Sequence, residues 1–500
     1  MVTLGIDYGT SNSEVVIFDG KEHHYIELDK ESKTPFKIRS SVFIYYEDDL
    51  PLPPVEVIQE KVERIKRAIS TQLDKAKDKY EEATTPAEQN RHLRQIDELR
   101  AEFHNTPKLQ RRAINELLKN QSVDDLPLQK MVETGTFLFG EAGFKQYLKT
   151  PEKGRLIYSP KNFLGANLIA GQLDAFIGLI AKQLAFFRDS AERQLGKKVT
   201  GAVIGRPVKY HGTRGEEGNQ QAIKIMRQAA QQAGFEHVEF LEEPIAAAYR
   251  IEQELTEQKT ALVVDIGGGT TDICAIKLGG QKQADYDRQQ DVLSVTGARL
   301  GGMECDKNLI IKSIAPEMGL GTEQTSGIPI PPLYFNDMVA VDDIPRLNNF
   351  FSDETGLEIA QTISVAKAPE KLEKLLVVQE EKLSARLVNS SRMAKEMLSD
   401  KSHIVLPLKY ITPDFNVELT EADLKRSMLS WMARVKSLIR ECLENSSEAP
   451  EILFITGGMS LSPIVQEEIK AMLPGLPAVT ADAFKSISEG LSIQAQKLGQ

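Results

Sequence analysis

Ala261-Leu262-Val263-Val264-Asp265-Ile266-Gly267-Gly268-Gly269-Thr270-Thr271-Asp272-Ile273-Cys274-Ala275-Ile276 carries one apolar run into another through three glycines and two threonines. Turn residues between two strand-like runs predict a strand–loop–strand. Asp265 closes the incoming strand. Glycine allows a tight turn and lets backbone N–H groups approach phosphate oxygens without a side-chain clash. The threonine hydroxyls add donors. An aspartate at a strand end can hold magnesium, usually through water, because that hard ion keeps much of its hydration shell. No Gly-Lys-Ser/Thr follows, so this is not a Walker A loop; a strand rather than a helix leaves it, so it is not a dinucleotide fingerprint either.

The same design opens the chain. Leu4-Gly5-Ile6-Asp7 enters Gly9-Thr10-Ser11-Asn12-Ser13, and Val15-Val16-Ile17-Phe18 returns. A third loop, Thr456-Gly457-Gly458, follows the strand Ile452-Leu453-Phe454-Ile455. One Asp-x-Gly-Thr turn is commonplace. Two facing ones and a third glycine pair predict loops that clamp a triphosphate and its metal from opposite sides. Taken alone, Glu243 before Pro244 reads equally well as a turn or N-cap carboxylate, and Lys161 as a solvated surface lysine. Asp272 reads as a magnesium neighbour or a turn-stabilising carboxylate.

Between these loops the pattern alternates. Helices are expected at Leu173–Leu195 and Gln220–Ala233, and strands at 202–204 and 238–241, which is a mixed α/β arrangement. Further helices are expected over Glu370–Ser399, Glu421–Glu444 and Ser462–Leu473, and an irregular stretch from Ile328 to about Phe351. Residues 55–120 differ in character. They hold 26 charged residues in 66, with Ile58, Val62, Ile65, Ile69 and Leu73 at three- and four-residue steps, so they predict helix with one narrow buried stripe. Pro51-Leu52-Pro53-Pro54 precedes them, and Thr84-Thr85-Pro86 and Pro107 interrupt them. A helical hairpin or short coiled-coil-like insertion with a trailing helix is expected, either a solvated arm or a partner-binding one.

The 500-residue chain as a whole has ordinary globular composition and a net charge of −11. That balance argues against a nucleic-acid or anionic-membrane surface, and Arg111 and Arg112 are too few to reverse it. No run of about 18 uncharged apolar residues appears, and Met1 to Asp7 lacks a signal-peptide pattern. Three scattered cysteines, Cys274, Cys305 and Cys442, fit neither a disulfide framework nor a zinc motif and suggest a reducing, cytoplasmic setting.

The loops resemble those of the actin-like ATPase superfamily, and more closely the seventy-kilodalton heat-shock (DnaK-like) chaperones. Residues 5–13 are similar to that family's first phosphate loop and 265–272 to its second. Glu242-Glu243-Pro244-Ile245-Ala246-Ala247-Ala248 resembles its connecting helix, and Ser159-Pro160-Lys161-Asn162-Phe163-Leu164-Gly165 the segment bearing its catalytic lysine. Arg299-Leu300-Gly301-Gly302 and residues 453–458 resemble later nucleotide-side loops. The wording is nearest to the shorter YegD-type members with only a nucleotide-binding domain.

The resemblance implies an actin-like fold of two lobes, duplicated ribonuclease-H-like units flanking a nucleotide cleft. Lobe I would take residues 1–54 and 121–250, lobe II 251–500 with a subdomain near 300–420, and 55–120 the insertion. It implies ATP or ADP with Mg²⁺ in the cleft. Asp7, Asp265 and Asp272 would serve the metal, while Lys161, Glu243, Asp265 and Thr270 would be catalytic. Gly9, Thr10, Ser11, Asn12, Gly267, Gly268, Gly269, Thr270, Thr271, Gly301, Gly302, Lys395, Ser399, Gly457 and Gly458 would bind nucleotide. Lys161 would stabilise phosphate charge and Glu243 orient or deprotonate water, sensible roles where positioning and charge neutralisation dominate.

Two departures qualify these implications. Arg392 stands where the family has Glu, Glu396 where it has Arg, and Leu461 replaces another arginine after Gly457-Gly458; base recognition is expected to differ more than phosphate binding. The chain ends at Gln500, soon after the last matched helix, so no peptide clamp in cis is expected, and any client or co-chaperone would meet the 55–120 arm. The function expected is a slow Mg-dependent ATPase acting as a conformational switch of chaperone type. The alternatives are a non-catalytic nucleotide sensor or actin-like scaffold, and a small-molecule kinase of the same superfamily.

Overall fold

A computed structural model describes residues 2–47, 51, 54–83, 85–120, 126–166, 170–210, 214–253, 255–279, 288–480 and 485–499. The chain forms two compact units. One comprises Met1–Phe43, Phe137–Pro151 and Leu156–Gln500, the other Ile44–Thr136 and Glu152–Arg155.

The larger unit contains two mixed sheets. The first is built from β1 (Thr3–Asp7), β2 (Asn12–Phe18), β3 (His23–Tyr25), β4 (Lys37–Arg39), β5 (Gly201–Arg206) and β6 (His237–Glu242). Its order is β3-β2-β1-β5-β6, with β4 also on β2. β2 is antiparallel to β1, β3 and β4, whereas β1, β5 and β6 run parallel. The second sheet comprises β7 (Lys259–Ile266), β8 (Thr271–Leu278), β9 (Val292–Ala298), β10 (Ile452–Thr456) and β11 (Ala478–Thr480). It runs β9-β8-β7-β10-β11, again two antiparallel pairs followed by two parallel ones. The chain therefore uses one topology twice.

Each first hairpin follows from its sequence. In β7 the side chains alternate between two cores: Leu262, Val264 and Ile266 enter one, Ala261 and Val263 the other. A strand buried on both faces must read as a continuous apolar run, and it does. The register sets Asp7 opposite Glu14 and Asp265 opposite Asp272. Like charges directly opposite are destabilising, so the fold concentrates acid where both hairpins turn.

Two helices lie between the sheets. Glu243–Glu252 packs on β7 and β8, and Ser486–Gly499 packs on β1, β2 and β5 and on the first helix. Their closeness depends on glycine. A Cβ at Gly490 would stand 1.8 Å from the Ala246 carbonyl oxygen, and one at Gly5 would stand 2.4 Å from the Ser492 nitrogen.

The smaller unit holds the helices Val55–Glu82, Pro86–His104 and Thr106–Asn120. Val62, Ile65 and Ile69 from the first meet Leu109 and Ala113 from the third. Pro86 starts the second helix behind a Thr85–Glu88 capping box. Of the expected interruptions, Thr84 and Leu52-Pro53 lie outside the described residues. Arg112 pairs with Glu102 at 2.9 Å and Glu116 at 3.0 Å. The unit extends beyond 55–120 on both sides.

Two local expectations differ from the structure. Glu370–Ser399 is two helices, Pro369–Glu380 and Ser384–Leu398. The break is at Lys382, whose φ of 52° is left-handed without a glycine to signal it. The stretch expected to be irregular contains Pro332–Met338 and Ile344–Phe350. A proline in the first turn favours each, since its missing N–H has no helical partner there; Asp343 caps the second helix by accepting from the Arg346 N–H.

Candidate functional site

The turns of the two hairpins meet. A Cβ on Gly268 would lie 1.9 Å from Ser11 Oγ, and one on Gly269 would lie 2.4 Å from Thr10 Oγ1. The Arg299-Leu300-Gly301-Gly302 loop stacks on the second hairpin's turn: the Gly302 N–H donates to the Gly267 carbonyl at 3.0 Å and the Met303 N–H to that of Gly268 at 2.8 Å. Gly457, with φ of 80°, closes the other side; a side chain there would strike Asp265 Oδ1 at 2.5 Å. These loops enclose a cavity of about 660 Å³.

Asp7, Gly9, Thr10, Ser11, Asn12, Lys161, Glu243, Asp265, Gly267, Gly268, Thr270, Gly302, Lys395, Ser399, Gly457 and Gly458 all line that cavity. Gly269 and Gly301 instead face a second cavity, of about 570 Å³, sharing the Gly268 wall. Thr271 is fully buried and its hydroxyl donates to the Leu300 carbonyl at 2.5 Å, away from either space. Asp272 sits beneath the loop and accepts from the Val208 N–H at 2.7 Å.

The chemical centre is a buried ion pair. Lys161 Nζ lies 2.5 Å from Glu243 Oε1, and both side chains are about 5% exposed. The solvated-lysine alternative does not describe this residue. Burial alone would depress the lysine, but Glu243 and Asp7 outweigh it and leave it raised above its ordinary value. The acids around it are crowded. Burial, with Glu243 beside it, raises Asp7 to about 8; the same two causes raise Asp272 to about 7 and Asp265 well above the usual range.

Glu243, Asp265 and Asp272 can each offer one oxygen such that all three lie within 4.8 Å of one another. Asp265 Oδ1 and Asp272 Oδ2 are buried without a hydrogen-bond partner among the described residues. Orphaned carboxylate oxygens facing one another suit a hard divalent cation. Magnesium therefore fits this set, with Glu243 in the tight group and Asp7 on the cavity wall beside it.

A proton balance follows. In the ligand-free protein a carboxyl raised from 3.8 toward 8 favours folding when protonated, so its stabilisation fades as pH rises through that window. The thermal midpoint of the free protein should fall between pH 6 and 8.5. Loading with Mg²⁺ and nucleotide at pH 7 should release protons, because an ion binds ionised oxygens. Calorimetry in buffers of different ionisation enthalpy reads this directly, and proton uptake would contradict it.

Several residues at the cavity escape the sequence. Asp306 anchors Lys395 at 2.8 Å, while Lys395 also donates to the Gly302 carbonyl at 3.1 Å. Met303 and Met459 line the wall, as do Glu14 and Lys37. A buried lysine requires an acid, but nothing in the sequence marks Asp306 as the partner of Lys395. Arg39 Nη1 and Nη2 both donate to Asn389 Oδ1 at 3.2 Å, joining β4 to the Ser384–Leu398 helix whose Arg392, Lys395 and Glu396 line the cavity, and the Tyr147 hydroxyl donates to the Lys382 carbonyl at 2.9 Å. Arg39→Ala should accelerate nucleotide release several-fold in stopped-flow chase experiments; an unchanged release rate would remove Arg39 from that role.

Comparison with known proteins bears on this arrangement. Residues 182–309 match the family model described as MreB/Mbl protein, and residues 363–499 match the Hsp70 protein model. A chaperone protein dnaK from Emiliania huxleyi is 24% identical over 329 residues, which is 64% of this chain and 42% of the relative. The chain is thus similar to a DnaK chaperone over part of its length. Its two mixed sheets are consistent with an actin-like ATPase fold. The chain spans about two fifths of the length of that curated relative. Among the described residues, no helix is long and apolar enough to cross a membrane.

Proposed function

We propose that this protein belongs with the DnaK-like chaperones, binds ATP with Mg²⁺, hydrolyses it slowly and uses the cleft as a nucleotide-driven conformational switch. The observation that carries the reading is the meeting of two glycine hairpins over a buried Lys161–Glu243 pair ringed by Asp7, Asp265 and Asp272. Asp265 and Asp272, with Asp7 on the wall beside them, would hold the metal, which when bound neutralises phosphate charge. Backbone N–H groups and the hydroxyls of Thr10 and Thr270 position the terminal phosphate. Lys161 offsets the charge that grows on it as a water oxygen attacks phosphorus and the bond to the leaving oxygen breaks. Glu243, whose Oε1 is engaged by Lys161, orients that water through its other oxygen and accepts the proton. Such catalysis rests on positioning and electrostatics.

Kinship with the YegD-type members and a chaperone role belong to the same proposal. The smaller unit, with its own core and charged exterior, is the proposed arm for a protein client or co-chaperone. A non-catalytic sensor or actin-like scaffold is the second reading, favoured by Glu396 and Leu461 lining the cavity where the resemblance implies arginines. Measuring ATP turnover for the wild type and Asp265→Ala decides between them. Magnesium-dependent turnover lost in the variant supports the switch; binding without turnover, or ATP-dependent pelleting, supports the second reading.

A further inference from the structure

With phosphates at the glycine loops, a base must meet the cavity wall given by the Ser384–Leu398 helix, the turn after it and residues 461–462. The donors on that wall are mostly spent. The Arg392 fork is taken by Glu396 Oε1 at 2.5 Å and Asn389 Oδ1 at 3.3 Å. Lys395 is held by Asp306 and the Gly302 carbonyl, and the Ser399 hydroxyl donates to the Lys395 carbonyl at 3.1 Å. The acceptors are open. Asp400, an exposed residue, lines the cavity, and no hydrogen bond or ion pair of its carboxylate is found among the described residues. One donor is in reserve: Ser462 Oγ is buried on the same wall without a partner.

Ionised carboxylates only accept, and their two oxygens match a pair of parallel N–H donors. Guanine offers such a pair in N1–H and N2–H₂. Adenine offers one donor, N6–H₂, beside the N1 lone pair, which would face the second carboxylate oxygen. Building on the nucleotide reading above, we propose that the cavity accepts guanosine as well as adenosine triphosphate. Asp400 takes the N1–H and N2–H₂ edge, and the Ser462 hydroxyl turns to O6 or N7. Leu461, 55% exposed, gives the ring an apolar face.

The test is calorimetric titration of the full chain, with Mg²⁺, against ATP, GTP, ITP and XTP, for the wild type and Asp400→Asn. GTP should bind within about tenfold of ATP or more tightly. ITP, which lacks the N2 amine, should bind about tenfold more weakly than GTP, the loss of one charge-assisted hydrogen bond. Asparagine presents one acceptor and one donor, the complement of xanthine N1–H and O2, so Asp400→Asn should move the GTP-to-XTP affinity ratio at least about tenfold toward XTP. A damaged fold weakens all nucleotides together and does not invert that ratio. GTP binding more than about tenfold weaker than ATP, or a GTP-to-XTP ratio that Asp400→Asn moves by less than about tenfold, overturns the base assignment alone. Silence for all four nucleotides overturns the nucleotide reading itself.

Discussion

Lys161→Met is expected to cut ATP turnover by about 10²–10³-fold, the typical cost of removing one preorganised group from where charge develops, while nucleotide still binds. Methionine keeps much of the stem's length and apolar surface. What disappears is the ammonium 2.5 Å from Glu243. Glu243 then stands buried among Asp7, Asp265 and Asp272 without its cation, an uncompensated charge no longer held in place to take a proton from water. Two roles fall with one atom. Lys161→Arg should not rescue, because a planar fork does not replace a compact ammonium in a closed site. Single-turnover assays separate the chemical step from binding; turnover within a factor of three of wild type would remove Lys161 from the chemistry.

Gly490→Ala should destabilise the larger unit by about 1–3 kcal/mol, the usual cost of overpacking. The opposite sign is the first guess, since alanine exceeds glycine in helix propensity by about 1 kcal/mol. The close packing decides against it. The added methyl would stand 1.8 Å from the Ala246 carbonyl oxygen and 2.4 Å from its carbon, and both are backbone atoms that move only with their helix. That helix begins at Glu243, so separation of the two helices displaces the carboxylate paired with Lys161. A lower urea midpoint together with reduced turnover is the expected signature. An unchanged or raised midpoint would show that the interhelical gap closes without strain.

Much of this was legible because it is local. The hairpins announce themselves through apolar runs ending in Asp and a turn that only glycine tolerates, and both lie where the residues put them. The Lys161–Glu243 pair is different. Its members are 82 residues apart, and lysine on its own favours solvent, so resemblance rather than residue type pointed to it. Asp306, Met303 and Met459 gave no motif, since their places at the cavity depend on how a helix after Gly302 faces another loop. Thr271 misled for a physical reason: in a strand the side-chain direction alternates, and the residue after Thr270 points into the core rather than at the loop's ligand face. Helix periodicity carried straight through Lys382, because a left-handed lysine leaves no trace in composition.

The most direct test of the central claim, that two glycine hairpins grip a metal-neutralised triphosphate, is calorimetric titration of the full chain with ATP in the presence and absence of Mg²⁺. One site per chain, markedly tighter with Mg²⁺ and accompanied by proton release at pH 7, is the result expected. No heat at saturating ATP and Mg²⁺, or an affinity indifferent to the metal, would contradict it.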